Sequence, residues 1–130
     1  MEQIDHIGIA VKSLEVSIPL FEKLLNSPCY KTEFVESEQV YTAFFQMGQS
    51  KIELLQNGVI TKFIEKKGEG IHHIAFEVKD IVEEMKRLAS EGFVLLNDTP
   101  KLGADNKLVC FLHPKETNGV LIELCQSNKG

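Results

Sequence analysis

The chain has 130 residues, 43% apolar and 25% charged, with nine glycines and four prolines, the balance of one globular domain rather than a disordered segment. A chain of this size buries about two-thirds of its unfolded surface, enough for a core without disulfides or structural metal, so any bound metal is free to be functional. A net charge of −5 with no basic run longer than Lys66-Lys67 or Lys86-Arg87 argues against nucleic acid, and no apolar run reaches the roughly 18 residues of a membrane span.

Residues 4–11 alternate in polarity and predict a strand. Leu14, Ile18, Phe21, Leu24 and Leu25 then recur at helical spacing, with Pro19 expected to kink the helix or move its start to Ser17. Residues 30–36, 40–47 and 51–56 read as strands, and 61–70 as a short helix with a glycine-rich linker. Residues 71–78 form the next strand. Asp80 and Glu83 resemble a capping box opening a helix with Ile81, Met85 and Leu88 on one face, which Glu91-Gly92 ends. Residues 93–96, 108–113 and 119–126 supply the last strands. Cys29, Cys110 and Cys125 are an odd set without C-x-x-C spacing, which predicts buried, reduced thiols. With no secretory pattern in residues 1–11, a cytoplasmic protein is expected.

The chain repeats once. His6-Ile7-Gly8-Ile9-Ala10-Val11-Lys12 lies over His73-Ile74-Ala75-Phe76-Glu77-Val78-Lys79, and Ile52-Glu53-Leu54-Leu55-Gln56 over Ile122-Glu123-Leu124-Cys125-Gln126, at offsets of 67 and 70 residues. Each half is therefore a βαβββ module, the first spanning about residues 1–60 and the second about 71–130, with a linker at about 61–70. Strand alternation sets His6, Gly8 and Ala10 on one face and Ile7, Ile9 and Val11 on the other, and the second module repeats this with His73 and Ala75. Glu53 and Glu123 stand inside apolar strands, where an unpaired carboxylate is costly, so each must be paired, hydrogen-bonded or metal-bound. If the modules pair about an approximate two-fold axis, His6, Glu53, His73 and Glu123 converge on one point. Two neutral imidazoles and two carboxylates suit a divalent cobalt, nickel, manganese or zinc ion, with open positions for a substrate. His72 faces the other way by strand parity, and His113 before Pro114 reads as a turn residue.

These motifs, with Gly68-Glu69-Gly70-Ile71-His72-His73 and His113-Pro114-Lys115 leading to Asn118-Gly119-Val120-Leu121-Ile122-Glu123, resemble the vicinal oxygen chelate superfamily and, within it, the methylmalonyl-CoA epimerase family. The resemblance covers nearly the whole chain. It implies an α+β fold in which two paired βαβββ modules form a cupped, eight-stranded mixed sheet. It also implies metal ligands at His6, Glu53, His73 and Glu123, Co2+ as the favoured ion, an acyl-CoA substrate, and a homodimer. The implied reaction inverts C2 of methylmalonyl-CoA through an enolate, with Glu123 as one acid/base. Some family members carry a second catalytic glutamate at a position that aligns with Ala43, which leaves Glu53 as the nearest substitute here. Lys101, Lys107 and Lys115 are candidates for the polyanionic CoA end.

Two other functions share this architecture. Glyoxalase I uses a similar site but carries a glutathione-binding arginine where this chain has Ala10, and its last strand follows an Asp-Pro-x-Gly turn rather than His113-Pro114-Lys115-Glu116-Thr117-Asn118-Gly119. A non-catalytic small-molecule-binding protein of this fold has no need of buried acids.

Overall fold

The computed structural model describes residues 1–128. Its element order is β1 (Gln3–Ala10), α1 (Leu14–Leu25), β2 (Lys31–Val35), β3 (Val40–Met47), β4 (Ser50–Gln56), α2 (Val59–Lys67), β5 (Gly70–Glu77), α3 (Ile81–Ser90), β6 (Lys101–Leu102), β7 (Lys107–Leu112) and β8 (Ile122–Ser127). The βαβββ order thus occurs twice, with α2 between the copies. The chain divides into two compact units, one of His6–His72 and one that joins Met1–Asp5 to the residues from His73 onward.

In the His6–His72 unit the strand order is β2-β3-β4-β1. Strand β1 runs parallel to β4 with Gly8 opposite Glu53, and β3 runs antiparallel to β4 with Phe44 opposite Glu53. One face is apolar: Ile9, Val11, Ala43, Phe45, Ile52 and Leu54 pack against Leu14, Ile18, Phe21 and Leu25 of α1. Helix α1 begins at Leu14, capped by Ser13, and runs through Pro19 without restarting at Ser17. The missing Pro19 donor removes one helical hydrogen bond, a cost that the cap and the packed apolar face outweigh. Leu24 lies outside that face and is 68% exposed, contrary to the sequence expectation.

A turn in this unit depends on one glycine. Gly58 has φ +55° and ψ −134°, and a Cβ there would run into the Glu38 and Gln39 carbonyls. Both objections are to backbone, which cannot move aside as a flexible side chain can. Gly58→Ala is expected to lower the unfolding free energy by about 2–3 kcal/mol, measured by urea denaturation. A midpoint equal to that of the unsubstituted protein would contradict this account of the turn.

The second unit has the order β5-β8-β7-β6. Strand β5 runs parallel to β8 with Ala75 opposite Glu123, and β7 runs antiparallel to β8 with Phe111 opposite Glu123. Val78, Cys110, Leu112 and Leu124 pack against Ile81, Met85 and Leu88 of α3, whose N-cap Asp80 accepts from the Glu83 amide. Residues 93–96, expected as a strand, make only the isolated Leu95–Leu112 bridge. The Asn97 side chain accepts the Phe111 amide at 3.3 Å in place of a continuing backbone ladder, and the last strand of the order is the two-residue β6.

The repeated Ile-Glu-Leu-x-Gln segment has a structural consequence in each unit. The Gln56 side chain accepts the amide of Leu14 at 2.6 Å, and that of Gln126 accepts the amide of Ile81 at 2.7 Å. Each glutamine thus satisfies the first orphan N–H of its module's helix. It stands three residues beyond a glutamate on the opposite face of the same strand, so one short segment fixes both the helix and the carboxylate.

Candidate metal-binding site

Alternation along β1 and β4 turns His6 and Glu53 away from the α1 side of the first unit, and both are buried. His6 Nε2 lies 3.2 Å from Glu53 Oε1. In the other unit His73 Nε2 lies 3.0 Å from Glu123 Oε1, also buried. The two pairs are built alike. Each histidine stands two residues before the small residue that faces its glutamate, Gly8 for Glu53 and Ala75 for Glu123. Each glutamate also has a phenylalanine opposite it on the next strand, Phe44 or Phe111. The Phe111 ring further meets the His73 imidazole edge-on, with centroids 5.8 Å apart.

These residues fit a divalent ion on the chemistry of the donor set. Two ligand atoms each about 2.0–2.2 Å from an ion, at right-angled to tetrahedral geometry, stand about 2.8–3.6 Å apart. Both nitrogen–oxygen separations agree with that. Gly8 and Ala75 keep bulk away from the glutamates on one side, and a buried carboxylate gains from a cation.

The other sequence candidates divide. His72 makes an edge-on contact with the Phe63 ring, centroids 4.9 Å apart, and His113 Nδ1 accepts the Lys115 amide at 3.0 Å. Lys101 and Lys115 are exposed. Lys107, however, is not a loop lysine: it lies in β7, its side chain is 12% exposed, and its Nζ is 3.5 Å from Asp5 Oδ1 and 3.1 Å from Ser127 Oγ. That bonding withdraws it as a CoA contact.

Ala43 is also corrected. It packs with Phe45 and Leu54 on the α1 side, whereas Thr42 and Phe44 share the face of Glu53 and pair with Leu55 and Glu53. A side chain at position 43 therefore points away from the His6–Glu53 pair whatever its type. Sequence reasoning missed Asp5 and Cys125. Burial pushes the Cys125 thiol pKa well up, and the neighbouring Asp5 and Glu123 carboxylates add to that. The available signal was an aspartate inside an apolar strand beside a proposed ligand.

The profile of the Glyoxalase/Bleomycin resistance protein/Dioxygenase superfamily matches residues 5–111. An ethylmalonyl-CoA/methylmalonyl-CoA epimerase of Cereibacter sphaeroides is 38% identical over 95% of this chain and 97% of its own. The chain belongs to the epimerase branch of this superfamily. The uncharacterized protein YqjC of Bacillus subtilis is 40% identical to this epimerase-family chain, over 97% of the chain and 93% of its own length. Among solved structures, the Streptomyces coelicolor methylmalonyl-CoA epimerase in complex with 2-nitronate-propionyl-CoA is 32% identical with a TM-score of 0.94, over 99% of this chain and 96% of its own. The α+β architecture of two βαβββ modules read from the sequence is thus that of the family. Among the described residues no helix is long and apolar enough to cross a membrane.

Proposed function

We propose that this epimerase-family protein inverts C2 of methylmalonyl-CoA, with His6, Glu53, His73 and Glu123 holding one divalent ion. The observation that carries the reading is the matched construction of the two His–Glu pairs, each with a small residue and a phenylalanine facing its glutamate. Two half-sites of identical donors together supply the four ligands of one such centre. The same reading takes Co2+ as the ion, an acyl-CoA as the ligand, a homodimer as the assembly and the cytoplasm as the location.

When bound, the cation would stabilise the negative charge that develops on the thioester oxygen as the C2 proton leaves. The chain's own groups move the proton. A carboxylate oxygen of Glu123 takes it from one face of C2, and Glu53 returns one to the other, leaving an inverted centre. No other carboxylate stands on the Glu53 face of β3, where Thr42 and Phe44 are presented. The Phe44 and Phe111 rings limit water around the two acids, which protects the enolate from uncontrolled reprotonation.

A glyoxalase I activity is disfavoured by Ala10. It is fully buried against Leu55 and Ile60 and carries no group that could hold glutathione. Incubation in heavy water distinguishes the two reactions. Deuterium is expected at C2 of methylmalonyl-CoA, with no consumption of methylglyoxal plus glutathione. The reverse pattern would overturn the proposal, and neither reaction together with tight small-molecule binding would favour the non-catalytic function.

A further inference from the structure

The buried polar cluster around Asp5 has no part in the chemistry above. Asp5 is 4% exposed and immediately precedes His6 in β1. Its Oδ1 lies 3.5 Å from Lys107 Nζ, which also donates to Ser127 Oγ at 3.1 Å, and its carboxylate lies against the Cys125 thiol. Lys107 is fixed in turn by its backbone pairing with Ser127. Near this point the Glu2 amide donates to the Glu77 carbonyl at 2.8 Å. Ala75, fully buried, packs beside Cys125 and Val109.

A buried ion pair is a poor source of stability, because desolvation cancels most of the attraction and a well-packed apolar pair of similar volume does as well. What an apolar pair lacks is direction. The lysine fixes where the Asp5 carboxylate lies, and the backbone leading into His6 with it. We propose that the Asp5–Lys107 pair is a positioning device that sets how β1 presents His6. Asp5 and Lys107 are positioning residues and touch no substrate. The inference rests on the metal-site reading above.

The test is Co2+ titration of the metal-stripped protein, followed by the visible absorption bands of the bound ion, which report its donor geometry. Lys107→Met and Asp5→Asn are each expected to weaken Co2+ binding by about 10–100-fold and to alter the bands. Lys107→Arg, which keeps the charge, should leave the affinity and the bands close to those of the unsubstituted protein. The double variant Asp5→Leu with Lys107→Met covers the case in which a single substitution fails to fold. It should melt near the unsubstituted protein yet still bind Co2+ weakly, an outcome that a purely structural role does not give. Unchanged affinity and bands in the folded variants would overturn this inference alone. No Co2+ binding by the unsubstituted protein would overturn the metal-site reading and this inference with it.

Discussion

Glu123→Gln is expected to slow epimerisation by about 10²–10⁴-fold, the usual contribution of a positioned general acid or base, while most of the metal affinity survives because the amide keeps an oxygen donor. The argument starts from its surroundings. Glu123 is buried between Ala75 and Phe111 and paired with His73 at 3.0 Å, so the residue to which the proposal gives the C2 proton is held in place before substrate arrives. Glu53→Gln should have an equally large effect on inversion, because the proposed mechanism gives each acid one face. Single-epimer substrates in heavy water separate the two roles. Each variant should retain exchange with one epimer of methylmalonyl-CoA and lose it with the other. Full inversion by either variant would remove that residue from the mechanism, and loss of exchange with both epimers in both variants would contradict the division of faces.

The second large effect concerns the ion itself. Stripping the metal with a chelator should reduce exchange at C2 by at least about 10³-fold, since the charge developing on the thioester oxygen loses its main stabilisation. Co2+ should restore it. The fold should survive the treatment, because the cores beneath α1 and α3 are built from Leu54, Phe45 and Phe21 in one unit and Leu124, Ile81 and Leu88 in the other. All of these lie on strand faces or helices that turn away from the His–Glu pairs. Far-ultraviolet circular dichroism before and after chelation checks the point. Collapse of the spectrum would make the metal structural, and undiminished exchange would make it irrelevant.

The repeat was legible because side chains alternate with a period of two, so each histidine and the small residue two positions on could be assigned to one face before any pairing was known. The register of Gly8 with Glu53 and of Ala75 with Glu123 adds each glutamate to that face within its unit. Position 43 was misjudged for the same reason in reverse. A one-residue slip in alignment moves a strand residue to the other face, and it is Thr42, not Ala43, that shares a face with Glu53. Lys107 was misread because its partners, Asp5 and Ser127, lie 102 and 20 residues away in sequence. Local composition carries no record of such a pairing. Leu24 illustrates a different limit, since helical spacing identifies apolar positions without saying how wide a stripe the sheet will cover, and α1 carries more apolar residues than its strands bury. The two glutamines of the repeat were visible as letters, but their use as acceptors for the first amides of α1 and α3 is a tertiary contact.

Metal stoichiometry tests the central claim most directly. Titration of the stripped protein with Co2+ should reach one equivalent per chain, and His6→Ala and His73→Ala should each abolish that binding event, because either substitution removes a ligand from the same ion. Two equivalents per chain would mean that the His–Glu pairs act separately, and one equivalent that survives the loss of either histidine would mean that the ion does not depend on them; either result would contradict the account.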